Sequence, residues 1–341
     1  MPRKSKKILV SVLATLTGVA MLVAGCGGSQ KQAASQTDKK IIIKAAHGLA
    51  TEHPFHIGMD AFAKSVAAKT NGKVEVQVFP NGQLGSDERQ LAESLQLGNI
   101  QATVVASGAV ASFTPKVDIF NLPFLYRDLQ HMYKVCDGEP GRIVAKDLEG
   151  KGLKVLAWFN GLPRNIFNNK KPITKIEDLK GMKIRVMQSP VQIGTFNSIG
   201  ALATPMPAGE VYSALQQGVI DGAENNPFSI LGYKYYEVSK YYSLTQHFYE
   251  ASPLMMDKKF FNAQTPEIQK ALLEAAAEAR DTMRKYMEQK NDEALQEIAK
   301  KGTVVNKVDD MTPFQKAVEP VYKQFEDKIG KDLIEMVKNT K

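Results

Sequence analysis

GMKIRVMQSP (Gly181–Pro190) and, after it, GEVYSALQQGVIDGAENNP (Gly209–Pro227) decide how this chain folds. Lys183 to Met187 reads as a short strand with one arginine, Arg185, among apolar neighbours. Gly209 to Gln217 is a short amphipathic helix that Gly218 can stop, and Val219 to Ala223 is the next strand. That strand ends in the polar cluster Glu224-Asn225-Asn226 before Pro227, which no helix interior tolerates. An arginine on one strand and amides at the end of another suit an anionic organic ligand. A guanidinium grips a carboxylate through two parallel hydrogen bonds, and amides donate to or accept from hydroxyls. The other reading of Arg185 is a strand-edge arginine paired with Glu177, Asp178 or Glu210.

The same pattern recurs 120 residues upstream. Leu95-Gln96-Leu97-Gly98-Asn99-Ile100 and Leu215-Gln216-Gln217-Gly218-Val219-Ile220 share L-Q-x-G-x-I, each a helix stopped by glycine and followed by a strand. Around the first copy, strands at Ile41–Ala46, Lys73–Phe79 and Gln101–Ala106 alternate with helices near Pro54–Lys69 and Asp87–Leu97. This alternation argues for parallel α/β packing. Open α/β sheets bind ligands at the carboxyl ends of their strands, so two such units present their edges to one cleft.

Downstream, Thr265-Pro266 is a helix start, and no Gly or Pro follows until Gly302. The 35 residues from Pro266 to Lys300 would span about 50 Å, longer than one unit of this size. Thr312-Pro313-Phe314-Gln315 begins the last helical segment as a capping box.

The first residues are read as targeting, not fold. Arg3, Lys4, Lys6 and Lys7 form a basic start, Ile8 to Ala24 an apolar stretch, and Val23-Ala24-Gly25-Cys26 a small-residue cleavage site ending in cysteine. This resembles a bacterial lipobox, with Cys26 as the lipidated first residue after a 1–25 signal peptide. Residues 26–40 are small and polar, a flexible tether. Loss of the four basic residues takes the formal net charge from +8 to +4, and nothing in the remaining pattern points to nucleic acid. With Cys26 lipidated, Cys136 has no partner for a disulfide. Roughly 300 residues remain, more than one hydrophobic core usually serves, so two lobes are expected.

Together, GMKIRVMQSP and DGAENNP, the opening stretch His47–Ile100 and DIFNLPFLYRDLQH (Asp118–His131) closely resemble the solute-binding proteins of tripartite ATP-independent periplasmic (TRAP) transporters, the DctP-like family. The resemblance implies a two-lobe α/β, periplasmic-binding-protein-like fold with a long helix bridging the lobes. Lobe I would hold 41–160 plus about 251–290, and lobe II 161–250 plus about 291–341, with crossings near Trp158–Gly161 and Ala251–Pro253. It implies that Arg185 of the GxKxRV motif grips a ligand carboxylate and that Arg164 is a second ligand-facing arginine, although one extra residue separates it from Gly161. It further implies a ligand-facing amide at Asn225 or the adjacent Asn226, and puts His47 and Glu52 near the cleft mouth. The implied partners are a small organic acid and the small and large membrane subunits of the permease; the protein itself would be an extracytoplasmic, lipid-anchored monomer.

The resemblance also bears on the ligand. Members that take bulky sialate-like acids carry an acidic residue near position 106 and an aromatic near 208, where this chain has Ala106 and Ala208. DGAENNP, with EHP upstream, looks more like members that take sugar acids, so a hexuronate or aldonate is the preferred ligand and a C4-dicarboxylate the alternative. A ligand-binding coreceptor for a sensor kinase is a further alternative, and an extracytoplasmic enzyme a less favoured one. Enzyme motifs are missing: no nucleophile elbow, HExxH, P-loop or dinucleotide fingerprint occurs, and neither a metal nor a cofactor is implied. His53 and His56, three apart, lack the further ligands a metal site needs. Trp158 and the tyrosines of Tyr233–Tyr236 and Tyr241–Tyr242 are read as packing.

Overall fold

The computed structural model describes residues 40–341. The signal peptide, Cys26 and nearly all of the tether lie outside the described residues.

Nine strands form one mixed sheet: β1 Ile41–Ala46, β2 Val74–Phe79, β3 Ala102–Val104, β4 Leu153–Asn168, β5 Lys183–Val186, β6 Leu202–Pro205, β7 Gly222–Asn225, β8 Tyr241–Asp257 and β9 Val304–Lys307. Their order is β2-β1-β3-β8-β4-β7-β5-β6, with β9 on β8. Two parallel units result, β2-β1-β3 and β7-β5-β6. The long antiparallel pair β4 and β8 joins them: Leu153–Asn160 pairs with Ala251–Asp257 beside β3, and Pro163–Asn168 with Tyr241–Tyr249 beside β7. This is the two-lobe α/β fold that the sequence implied, with both lobes built on one continuous sheet.

The two copies of L-Q-x-G-x-I close their helices in the same way. Gly98 donates to the carbonyl of Leu95 and Asn99 to that of Ser94, while Gly218 donates to Leu215 and Val219 to Ala214. Both glycines are left-handed (φ +75° and +71°), as this helix-ending motif demands. The second copy corrects one expected boundary. Val219 is half exposed and its N–H is used by the helix end, so β7 begins at Gly222 rather than Val219. Glu224 and Asn225 are therefore strand residues, held in the ladder opposite Ile166 and Asn165.

The helix Pro266–Lys300 forms as read, with the Thr265 hydroxyl capping Ile268. Its Leu272, Ala275, Ala279 and Met283 pack with Phe55, Met59 and Phe62 of the helix Pro54–Lys69 under β1. Fully burying a side chain such as Leu272 contributes about 1.5–3 kcal/mol. Near its other end Ile298 enters a different cluster, with Phe167, Val211, Ile230 and Tyr242 behind β7. Midway, Arg284 donates to both carboxylate oxygens of Asp137 (2.6 and 2.9 Å), to the Asn160 side chain and to the Trp158 carbonyl (3.2 Å). The long helix thus packs on both units and is pinned to β4 where that strand leaves the first for the second.

Candidate ligand-binding cleft

The carboxyl ends of the strands meet at a narrow cavity of about 20 Å³. Leu49, Glu88 and Ala106 enter it from the first unit, Arg164 and Glu250 from the β4–β8 pair, and Arg185 and Asn225 from the second. A neighbouring small cavity, also about 20 Å³, shares Glu88 and Arg185.

Arg185 is brought in by the parallel pairing of β5 with β6 and β7. Its Nε and Nη2 donate to the Met206 carbonyl (2.8 and 2.6 Å), which fixes one edge of the guanidinium and leaves Nη1 without a hydrogen bond among the described residues. The residue is only 4 % exposed, yet among the described residues no carboxylate lies in salt-bridge range. Asp178, one of the acids that could have paired with it, is held instead by Lys171 (3.1 Å) and Thr174 (3.0 Å). Burial pushes the Arg185 pKa down, the sign of a charge that has lost water and gained no full partner.

Arg164 also lines the cavity, but its donors are taken. Both Glu224 carboxylate oxygens and the Glu224 carbonyl accept from it, and Glu250 accepts from Nη1 (2.8 Å). Burial would raise the Glu224 pKa, but the Arg164 charge and hydrogen bonds outweigh it and hold the group at about 2. His247 approaches the same carboxylate at 3.6 Å, too far for a hydrogen bond, and its Nε2 has no partner.

The two asparagines separate. Asn225 is on the cavity wall, with Oδ1 accepting from the Asn226 N–H (2.9 Å) and Nδ2 in no hydrogen bond among the described residues. Asn226 is turned away: Oδ1 caps the helix Pro227–Gly232 at Ser229 (3.0 Å) and Nδ2 donates to Glu250 (2.9 Å).

His47 and Glu52, expected near the cleft mouth, do not line the cavity. His47 is fully buried at the end of β1; its Nδ1 accepts from the Leu49 N–H (3.2 Å), so Nε2 carries the proton and donates to His56 Nδ1 (3.0 Å). Burial first, and the nearby His56 second, push its pKa down to about 4. His53 caps its own helix at Phe55 (3.2 Å) and meets Ser229 Oγ at 3.4 Å. Glu52 is exposed and accepts from Thr51. Among the described residues, no group of three or more His, Cys, Asp or Glu side chains could hold a metal ion.

Sequence reasoning missed Glu88, Glu250 and Tyr233. Glu250 adjoins the crossing expected at Ala251, a position that could have flagged it. Glu88 follows Asp87, the cap of its helix, and shows no other local sign. Tyr233 stacks on Tyr235 (5.2 Å), which stacks on Phe167 (5.0 Å); the tyrosines do pack, but Tyr233 also forms cavity wall. Ala106 and Ala208 line the cavity too, so their small side chains leave room there. Trp158 stays in the core against Phe120.

Residues 45–328 match the family model for bacterial extracellular solute-binding proteins, family 7 (DctP). The chain is similar to a TRAP periplasmic solute-binding protein of Sulfitobacter sp. NAS-14.1 solved with β-D-galacturonate (36 % identity, TM-score 0.84, covering 87 % of this chain and 99 % of that one). It is similar to a sugar acid binding protein of Advenella mimigardefordensis in complex with galactonate (33 %, TM-score 0.85, 89 % and 98 %). A third similar structure, a TRAP protein of Sulfurospirillum deleyianum, holds succinate (36 %, TM-score 0.84, 89 % and 99 %). Fold, sequence and cleft agree: this chain belongs to the DctP family of extracytoplasmic solute-binding proteins.

Proposed function

We propose that the protein captures a sugar acid, a hexuronate or an aldonate, by closing two lobes around it, with Arg185 as the carboxylate clamp. The observation that carries this reading is the buried Arg185 guanidinium, held on one edge by the Met206 carbonyl, lining the cavity and, among the described residues, without a carboxylate in salt-bridge range. A ligand carboxylate supplies the missing charge, and in a water-poor cleft a bidentate pair is stronger than at the surface. Asn225 Nδ2 serves ligand hydroxyls, and Arg164 keeps the wall in shape. The galacturonate and galactonate complexes of similar proteins support this ligand class.

The lobes divide in β4 near Gly161 and in β8 near Ala251, giving 41–160 plus about 251–290, and 161–250 plus about 291–341. Ligand binding supplies the free-energy difference between open and closed forms, so closure reports occupancy to the two membrane subunits of a TRAP permease. Cys26, lipidated, tethers the protein outside the cytoplasmic membrane. Expressed in a bacterium that processes lipoproteins, the protein takes up labelled fatty acid, and Cys26→Ala does not; unmodified Cys26 in a freely soluble wild type overturns the anchor.

Calorimetric titration of a soluble form lacking residues 1–28 tests the ligand. Galacturonate, glucuronate and galactonate should bind, and neutral galactose should not. Equal binding of galactose and galacturonate would remove the carboxylate from the reading.

A further inference from the structure

Capture of one carboxylate leaves one carboxyl group of the cavity unexplained. Glu88 opens the helix Glu88–Gln96, whose cap Asp87 accepts from the N–H groups of Arg89 (2.8 Å) and Gln90 (3.0 Å). This start sends Glu88 into the cavity, where Oε1 accepts from the Ala106 N–H at 3.2 Å. Oε2 has no protein partner among the described residues. The other acids near it are neutralised: Glu224 by Arg164, and Glu250 by Arg164, Asn226 and Ser252. Two carboxylates thus share Arg164, and Arg185 is the cation left for the ligand. Arg89, on the solvent side, is exposed and already paired with Glu93 (3.1 Å).

One ligand carboxylate satisfies Arg185. A second finds no free cation on the cavity wall and meets Glu88 and Glu250 instead. A ligand hydroxyl, in contrast, can pair with Glu88 Oε2 whether that carboxyl donates or accepts. We propose that Glu88 is the specificity-determining residue of this cleft, admitting acids with a single carboxylate and several hydroxyls and turning away dicarboxylates. The proposal rests on the sugar-acid reading above and goes one step further, assigning the discrimination to one side chain.

Glu88→Gln tests it, because the amide keeps an oxygen for the Ala106 N–H and removes the charge. Wild type and variant are titrated with D-galacturonate, D-galactonate and succinate at pH 8.5, where the Glu88 carboxyl is ionised. Wild type should prefer the two sugar acids, and Glu88→Gln should raise succinate affinity relative to galacturonate by about tenfold or more, the scale of relieving a like-charge contact. Glu88→Asp, which keeps the charge, should keep the preference, so a general loosening of the cleft is told apart from loss of the carboxyl. Sugar acids bound with an unchanged ratio in Glu88→Gln overturn the Glu88 assignment alone. Wild type preferring succinate, or binding none of the three, overturns the sugar-acid reading and this inference with it.

Discussion

Arg164 and Glu224 sit 60 residues apart in sequence on neighbouring strands β4 and β7, where the guanidinium reaches across to donate to both carboxylate oxygens and to the Glu224 carbonyl. Arg185, which reaches the same cavity from β5, has no such partner. Two arginines of equal appearance in the sequence therefore carry different loads: one completes a buried ion pair, the other waits for an anion. Their variants should fail in different ways.

Arg185→Ala should fold and lose about 2–5 kcal/mol of ligand affinity, the range for truncating one partner of a buried charged pair. Arg185→Lys should also bind weakly, because an ammonium lacks the planar fork. Calorimetry with whichever sugar acid the wild type binds measures both; unchanged affinity in folded Arg185→Ala makes this arginine structural.

Arg164→Ala should instead cost folding stability, about 3–5 kcal/mol, because Glu224 is left charged and fully buried. The readout is the unliganded melting temperature. A melt equal to that of Arg185→Ala would show that the Arg164–Glu224 pair contributes little.

Stability should depend on pH through opposing groups. Glu224, held at about 2, binds fewer protons folded than unfolded; its contribution is present above about pH 4.5 and is lost as pH falls toward 2. Glu88 is pushed up to about 7 by burial and the nearby Glu250, so its contribution is present below about pH 4.5 and is lost as pH rises through 7. His47 and His53, pushed down to about 4 and about 3 mainly by burial, stabilise above about pH 6.5 and lose that contribution as pH falls. These overlap with Glu88, so the comparison is with Glu88→Gln. Relative to the variant, wild type should lose melting temperature between pH 4.5 and 7, and parallel curves would count against a raised Glu88 pKa.

Gly161 marks the register shift where β4 passes from one unit to the other. A Cβ there would lie 2.8 Å from Glu250 Cβ, so Gly161→Ala should displace Glu250 from Arg164 and Asn226. Destabilisation of about 1–3 kcal/mol and weaker ligand binding are expected. Gly150→Ala, with open space around the new methyl, is the control. Thermal melts and titration of both variants decide; equal behaviour would mean the strands can part at no cost.

The local elements and their order can be read along the chain. Thr265-Pro266 and Gly302 bracket the long helix, L-Q-x-G-x-I ends two helices by the same hydrogen bonds, and the β-alternation around it announces two parallel units. Caps, glycine conformations and apolar periods act over a few residues, so they can be read in order along the chain. Which charges meet follows from the packed fold alone. That Arg164 is consumed by Glu224 and Glu250 while Arg185 is not, that Asn225 rather than Asn226 faces the cavity, that His47 turns inward to His56, and that Glu88 arrives opposite Arg185 all depend on long-range packing. Strand register sets those meetings across tens of residues, and the energy of a buried charge depends on the partner it finds there, which no local pattern records.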